Sequence, residues 1–493
     1  MHHDFTWEVV AENGGPVVDA LITVDPDPGN GGTRLTDGNG RAHFGAPFNI
    51  YLVRVTKTGF VSWEDTVAVG GPMHTVVTLR GDLPPPPDPP HGRVRLHERV
   101  FTDDDGPRPM VGASLFWLAW GYKHDRDRLA QNLQWLAERD VDFVRAFAEV
   151  CARHGYQVWA DREVDPEWPD YADVIQGSTR LAMAHGLRVE WTLFAGGCYD
   201  TPHEWLAAGG RMIDALRPVL DGVQFVEVTN EEQLPDRSVV RELARRVRDR
   251  LGIEVALTSP YSDYSAWYDG SAATLGTYHP DRAYGDYGWR FARQMWGYPD
   301  ELGSGLPRPC VNNEPIGIDS SVRPESDPVK LASDALVTWV SGCAAYVWHS
   351  GAGIFGRFQD DGHGRVVQAN VYDQPEADAG LRLIDRVRDE LPNDLPNWSR
   401  ANNGWTAPNP VPPFRFTQDD VGEGATAARG VVRSYSALRG DRFCTVVLGA
   451  RGALTTTPTR PVTATIWNFS DWVARPWTGR VDGPVTTYLV IGR

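Results

Sequence analysis

The chain has 493 residues, 41% hydrophobic and 23% charged, a globular balance that can fill the cores of about three domains and excludes wholesale disorder. Its formal net charge of −17 is repelled by phosphate, so no nucleic acid and no membrane surface is expected as a partner. No apolar run of about 18 residues occurs, and Met1–Val10 (MHHDFTWEVV) lacks the basic start and apolar stretch of a signal peptide; the site of action stays open between the cytoplasm and an extracellular or virion-associated setting.

In chain order, short β-rich runs come first. Ala20–Val24, Tyr51–Thr56 and Thr75–Leu79 alternate with clusters of Gly, Asp and Asn, the pattern of a small β-sandwich over residues 1–81. Asp37–Gly40 reads as the tight turn that pairs two strands. The runs Gly15-Pro16-Val17-Val18-Asp19-Ala20, Thr36–Phe44 (TDGNGRAHF) and Thr58-Gly59-Phe60 resemble the carboxypeptidase regulatory-like, transthyretin-type domain. That resemblance implies an accessory module without catalysis. Leu83–Pro90 (LPPPPDPP) reads as a stiff spacer, placing a linker at residues 82–92.

Residues 93–398 change texture to apolar β runs alternating with amphipathic helical stretches. The strand candidates are Met110–Phe116, Asp142–Phe147, Arg188–Phe194, Val223–Val228, Glu254–Thr258, Ala272–Tyr278, Cys310–Asn313 and Ala344–Trp348. Helical spacing is clear in Arg126–Arg139, Val239–Leu251 and Val329–Val340. Eight such units predict an α/β fold, a (β/α)8 TIM barrel; an open doubly wound sheet is the alternative, but GxGxxG is missing after the first strand. The tail, residues 399–493, returns to β runs (Gly430–Tyr435, Phe443–Leu448, Val462–Trp467, Thr486–Ile491) and predicts a second β-sandwich. Its Trp467, Trp472 and Trp477 are read either as core or as a sugar-binding face.

Several chemistries find no support. The five cysteines lie far apart without a CxxC pair, so reduced thiols are expected rather than a disulfide framework or zinc cluster. HExxH and calcium-loop patterns are absent, no metal or cofactor is called for, and Asp103–Asp105 reads as a solvated turn. The 19 Trp, 16 Tyr and 17 Phe suit either large cores or the apolar faces of sugars.

In a TIM barrel the reacting groups sit at the carboxyl ends of the strands. After the fourth run comes Thr229-Asn230-Glu231-Glu232, and after the seventh comes Asn312-Asn313-Glu314-Pro315. Two carboxylates thus end two strands that open onto one rim, as cleavage of a glycosidic bond requires: one protonates the departing oxygen, the other attacks or activates water. These residues resemble the clan A retaining (β/α)8 glycoside hydrolases, over about 300 residues of the chain. The resemblance implies Glu231 as acid/base, with Glu232 its nearest rival, and Glu314 as nucleophile. Asn230 would bind the sugar 2-hydroxyl and Arg145 would hold Glu314 ionised. Tyr278 or His279 would meet the nucleophile or sugar, and Trp348 would floor the subsite of the cleaved ring. Trp117, Trp120 and Tyr199 are candidates for outer subsites or simple packing, and Pro260–Gly270 for a substrate-contacting loop. The reading is therefore a retaining glycoside hydrolase with a carbohydrate substrate. Its alternatives are a non-catalytic sugar-binding or structural protein, such as a phage-particle component, and an inverting or transferring enzyme.

Overall fold

The computed structural model describes residues 2–11, 15–26, 28, 32–47, 49–57, 60, 63–69, 72–79, 90, 92–151, 162–195, 199–230, 236–258, 270–280, 309–318, 325–351, 353, 358–360, 366–368, 375–400, 414–420, 433–458, 461–478 and 480–493. The chain divides into two units, Met1–Pro87 and Asp88–Arg493.

In the first unit, alternation decides the architecture. Leu21–Asp25 buries every second residue, and Asn49–Thr56 sends Tyr51, Val53 and Val55 to one face. A period of two gives each strand one apolar side, which a second sheet must cover. Arg41–Pro47, His2–Ala11 and Met73–Leu79 form one sheet; Thr33–Leu35, Leu21–Asp25, Asn49–Thr56 and Trp63–Val69 form the other. Phe5, Trp7, Val9, Ile22 and Val53 belong to their shared core. At the Asp37–Gly40 turn, Asp37 Oδ1 accepts the Asn39 N–H at 2.9 Å, and Gly40 takes φ +73°. A Cβ on Gly40 would stand 2.5 Å from the carbonyl oxygen of Val9, so space and backbone both demand glycine.

The second unit is built on a closed barrel of eight parallel strands in sequence order. They are β1 (Met110–Ser114), β2 (Phe143–Phe147), β3 (Arg188–Phe194), β4 (Val223–Thr229), β5 (Val255–Thr258), β6 (Leu275–Tyr278), β7 (Cys310–Asn312) and β8 (Cys343–Trp348). Around it lie α1 (Leu118–His124), α2 (Arg126–Ala137), α3 (Tyr171–Ala184), α4 (Pro202–Leu216), α5 (Arg237–Leu251), α6 (Pro328–Val340) and α7 (Pro375–Glu390). Local chemistry sets their starts. At α4, Thr201 Oγ1 accepts the Glu204 N–H, Glu204 Oε2 accepts the Thr201 N–H, and Pro202 opens the first turn, a reciprocal cap. Among the described residues no helix is long and apolar enough to cross a membrane.

The inward side chains change character along the barrel axis. Met110, Phe143, Phe225, Leu275, Val311 and Ala345 form an apolar layer at the amino end. The small sheet of Arg95–His97, Val100–Asp103 and Gly106–Arg108 closes it, with Phe101 stacked on Phe225 at 5.7 Å. Two residues further along β2, β4, β6 and β7 stand Arg145, Glu227, Thr277 and Asn313, so the polar layer falls at the carboxyl end.

Two sequence expectations are corrected here. Cys310 and Cys343 occupy facing positions on β7 and β8 and form a disulfide, Cα atoms 4.6 Å apart. Strand register, which the sequence spacing does not display, brought them together. Cys151 is disulfide-bonded as well, and Cys444 is a free buried thiol. Asp103 is not solvated: its carboxylate is 1% exposed and pairs with Arg188 Nη2 at 2.8 Å, each buried charge compensating the other.

In the tail, Arg433–Arg439, Arg442–Pro458, Ala464–Asn468 and Arg480–Gly492 join one seven-stranded antiparallel sheet. Alternation along Arg442–Pro458 sends Cys444, Val446 and Leu448 into the cluster shared with the barrel helices, and Phe443 and Val447 to the opposite face with Ile466, Tyr488 and Val490. Trp467 and Trp472 join the first cluster and Trp477 the second, so the three do not make one platform.

Candidate active site

Arg145 organises the carboxyl end of the barrel. It is fully buried, and a guanidinium removed from water needs acceptors around it. Nη1 donates to Glu314 Oε1 at 2.8 Å; Nη2 donates to Glu227 Oε2 at 2.8 Å and to Asn230 Oδ1 at 2.7 Å. Nε lies 3.4 Å from Glu190 Oε1. Burial works against its charge, but Glu227, Glu314 and Glu190 together outweigh that and raise its pKa.

The two deeper glutamates differ in their surroundings. Glu227 also accepts the hydroxyls of Thr192 (2.6 Å), Thr258 (2.9 Å) and Thr277, and the Asn313 amide at 3.3 Å. Burial pushes its carboxyl up, but Arg145, His279 and Thr192 hold it far below the usual carboxylate range. At Glu190 burial prevails: with Arg145 pulling the other way and Glu227 repelling, its carboxyl is pushed up to about 8. Neighbouring carboxyls thus take opposite protonation states at neutral pH.

Glu314 follows β7 and is nearly buried. Besides Arg145, its Oε1 lies 3.4 Å from His279 Nδ1, and its Oε2 lies 4.0 Å from His349 Nε2. Nδ1 of His349 is in turn 2.9 Å from Ser114 Oγ. The Glu314 N–H donates to the Tyr278 carbonyl at 3.3 Å, and the Gly351 N–H donates to the Ile318 carbonyl at 2.8 Å. A Cβ on Gly317 would stand 1.6 Å from the His349 carbonyl oxygen, so the loop after β7 rests directly on the end of β8. Gly317→Ala is therefore expected to destabilise the fold by roughly 1–3 kcal/mol. An unchanged urea midpoint would contradict that close approach.

Strand parity corrects two site assignments. Val347 and His349 face inward, so Trp348 faces outward; its ring is 1% exposed and lies 2.5 Å from where a Cβ on Gly380 of α7 would be. It packs against a helix and does not floor the mouth. Thr277 and His279 likewise face inward, so the buried ring of Tyr278 joins the outer apolar cluster, and its contribution is the carbonyl that receives Glu314. Of the pair Tyr278 and His279, it is the His279 side chain that reaches the carboxylate. Of the two readings of Trp117, packing is the one its surroundings fit: it is 2% exposed, with its ring against Gly121.

Trp120 is half-buried, 5.2 Å from the His124 ring, with the Arg162 guanidinium 5.9 Å from its centroid. Tyr199 packs edge-on against Trp205 and lines a cavity of about 430 Å³ with Glu149, Asp165, Asp200, His203 and Arg211. That cavity shares no lining residue with the Arg145 cluster. Glu231 and Glu232 lie outside the described residues, as does Pro260–Gly270 apart from Gly270. Asn230, next to Glu231, is tied by its N–H to the Phe194 carbonyl at 2.8 Å.

Sequence reasoning did not single out Glu190, Glu227, Thr192, Thr258, Thr277, Asn313 or His349. The signal available was an acid inside an apolar run, as in Arg188–Phe194 (RVEWTLF) and Val223–Thr229 (VQFVEVT), because a strand buried on both faces has no solvent to receive it. Among the described residues no group of three or more His, Cys, Asp or Glu is placed to hold a metal ion; the guanidinium of Arg145 stands among the carboxylates.

No protein-family model matches the sequence, and no curated protein matches it. Solved structures share the fold. One described as a glycoside hydrolase is 12% identical, with 81% of this chain and 96% of that chain covered at a TM-score of 0.58. A family 5 glycoside hydrolase from Bacteroides vulgatus ATCC 8482 is also 12% identical, with 81% and 92% covered at 0.57. A putative glycoside hydrolase from the same organism is 13% identical, with 100% and 98% covered at 0.53. At such identities the likeness is one of fold.

Proposed function

We propose that this chain is a glycoside hydrolase that cleaves β-glycosidic bonds of a poly- or oligosaccharide with retention, using Glu314 as nucleophile and Glu231 as acid/base. The observation that carries this reading is Glu314 itself, a carboxylate at the end of β7 held at 2.8 Å by a buried guanidinium, on a barrel whose fourth strand runs directly into Asn230-Glu231. The count of eight strands supports the assignment of the two roles, since the acid/base follows the fourth and the nucleophile the seventh.

In the first step Glu231 gives its proton to the glycosidic oxygen as the bond from that oxygen to the anomeric carbon breaks, and a Glu314 oxygen forms an ester to that carbon. In the second, Glu231 takes a proton from water, whose oxygen attacks the anomeric carbon and releases Glu314. Arg145 favours the charged form of Glu314, while His279 and His349 bracket its two oxygens. With Oδ1 of Asn230 committed to Arg145, its amide nitrogen is the group offered to a sugar 2-hydroxyl. Trp120 and Tyr199 are proposed as contacts for outer rings. Residues 1–81 are proposed as an accessory module of transthyretin type, 82–92 as a linker, 93–398 as the catalytic barrel and 399–493 as its β companion.

The test is a glycan screen with the products followed by proton NMR. A β-linked substrate giving the β anomer first is the expected result. First appearance of the α anomer would make the enzyme inverting, and sugar binding without any cleavage over a broad screen would make the barrel a binding protein.

A further inference from the structure

Three carboxyls, those of Glu190, Glu227 and Glu314, surround the single guanidinium of Arg145, and they are not served equally. Glu227 receives Nη2 and three threonine hydroxyls; Glu314 receives Nη1. Glu190 receives the Asn313 amide on Oε1 at 2.7 Å, with Nε of Arg145 at 3.4 Å from the same oxygen. Its Oε2 is buried and, among the described residues, has no hydrogen-bond partner. A charged oxygen without a donor in a buried site costs far more than the neutral acid. Among the described residues, the charged or titratable groups that act most on Glu190 are Arg145 from β2, Glu227 from β4 and His279 after β6, with neutral Asn313 after β7.

We infer that Glu190 is a positioning residue that works only while it holds a proton: as a neutral acid it leaves the guanidinium of Arg145 to Glu227 and Glu314, and as an anion it draws Nε toward itself and Nη1 away from Glu314. The inference rests on the glycosidase reading for its consequence in turnover, but not for its charge state. Burial pushes the Glu190 carboxyl up to about 8 against an ordinary 4.5. Between those values the folded protein keeps a proton that the unfolded chain has released, so this group makes stability fall as pH rises through that window.

A dinitrophenyl glycoside of an accepted sugar tests the turnover arm, because its leaving group needs no proton and the alkaline limb of kcat/KM then does not report Glu231. Wild type is expected to lose about tenfold in kcat/KM between pH 7 and pH 9, and Glu190→Gln less than about twofold over the same range. The second arm needs no substrate: with carboxyl-13C glutamate and 15N arginine, one glutamate resonance titrates near pH 8 in wild type, and the Arg145 guanidinium signal moves with it. The same fall in both enzymes, a wild type with no glutamate titrating between pH 7 and 9, or an Arg145 signal indifferent to it would overturn the inference. If no glycoside is turned over, the glycosidase reading falls, and the resonance arm decides the Glu190 inference alone, even where the variant fails to fold.

Discussion

Glu314→Gln should reduce hydrolysis of an accepted glycoside by about 10⁴-fold or more, with little change in stability, because Arg145 keeps Glu227 and Asn230 as acceptors. Glu231→Ala should behave differently. Its loss depends on the leaving group, about 10²- to 10⁴-fold for a sugar that must be protonated as it departs and far less, in kcat/KM, for a dinitrophenyl leaving group. Steady-state kinetics on the two substrates with the two variants separates the roles. If Glu314→Gln stays active on both substrates, the nucleophile lies elsewhere.

Arg145→Met should destabilise the fold by about 3–5 kcal/mol, because it removes the guanidinium that holds two buried carboxylates at 2.8 Å each. The sign with pH follows from Glu227. In wild type its carboxyl is held below the usual range, so its stabilising contribution is complete above the unfolded pKa of about 4.5 and is lost only as pH falls below it. Without the guanidinium, burial prevails and raises that carboxyl instead, so the gap between wild type and variant should widen from pH 5 to pH 8. Urea unfolding at the two pH values reads it. Arg145→Lys should recover part of the stability and little of the activity, since one ammonium cannot reproduce a fork that reaches Glu314, Glu227 and Asn230 at once. Equal midpoints for wild type and Arg145→Met at pH 8 would remove Arg145 from the centre of the site.

The barrel was legible because eight apolar runs of strand length alternate with helical spacing, and the observed bounds differ from the expected ones by only a few residues. Strand ends were legible too, which is why Glu314, Arg145, Asn230 and His279 were named. Parity at the end of β8 was not. Ala344–Trp348 is apolar throughout, so a strand buried on both faces shows no alternation, and the large ring of Trp348 looked like the residue at the mouth when His349 holds that place. In β3 and β4 the parity was written in the sequence by Glu190 and Glu227, acids that only a polar interior could receive. The Cys310–Cys343 pairing depends on register between two strands, which composition does not display.

Helix α6 carries one more implication. Ten consecutive residues, Leu331–Val340, are buried; the helix lies against β8 and α7, and also against strands of the tail, with Ser333 hydrogen-bonded to Thr487 at 2.7 Å. A surface helix would show a wet stripe, and this one shows none. Excising residues 93–398 would therefore uncover a greasy flank and yield inclusion bodies, whereas a fragment beginning at residue 88 and running to the end should stay in the supernatant. Barrel and tail thus stand as one compact unit, Asp88–Arg493.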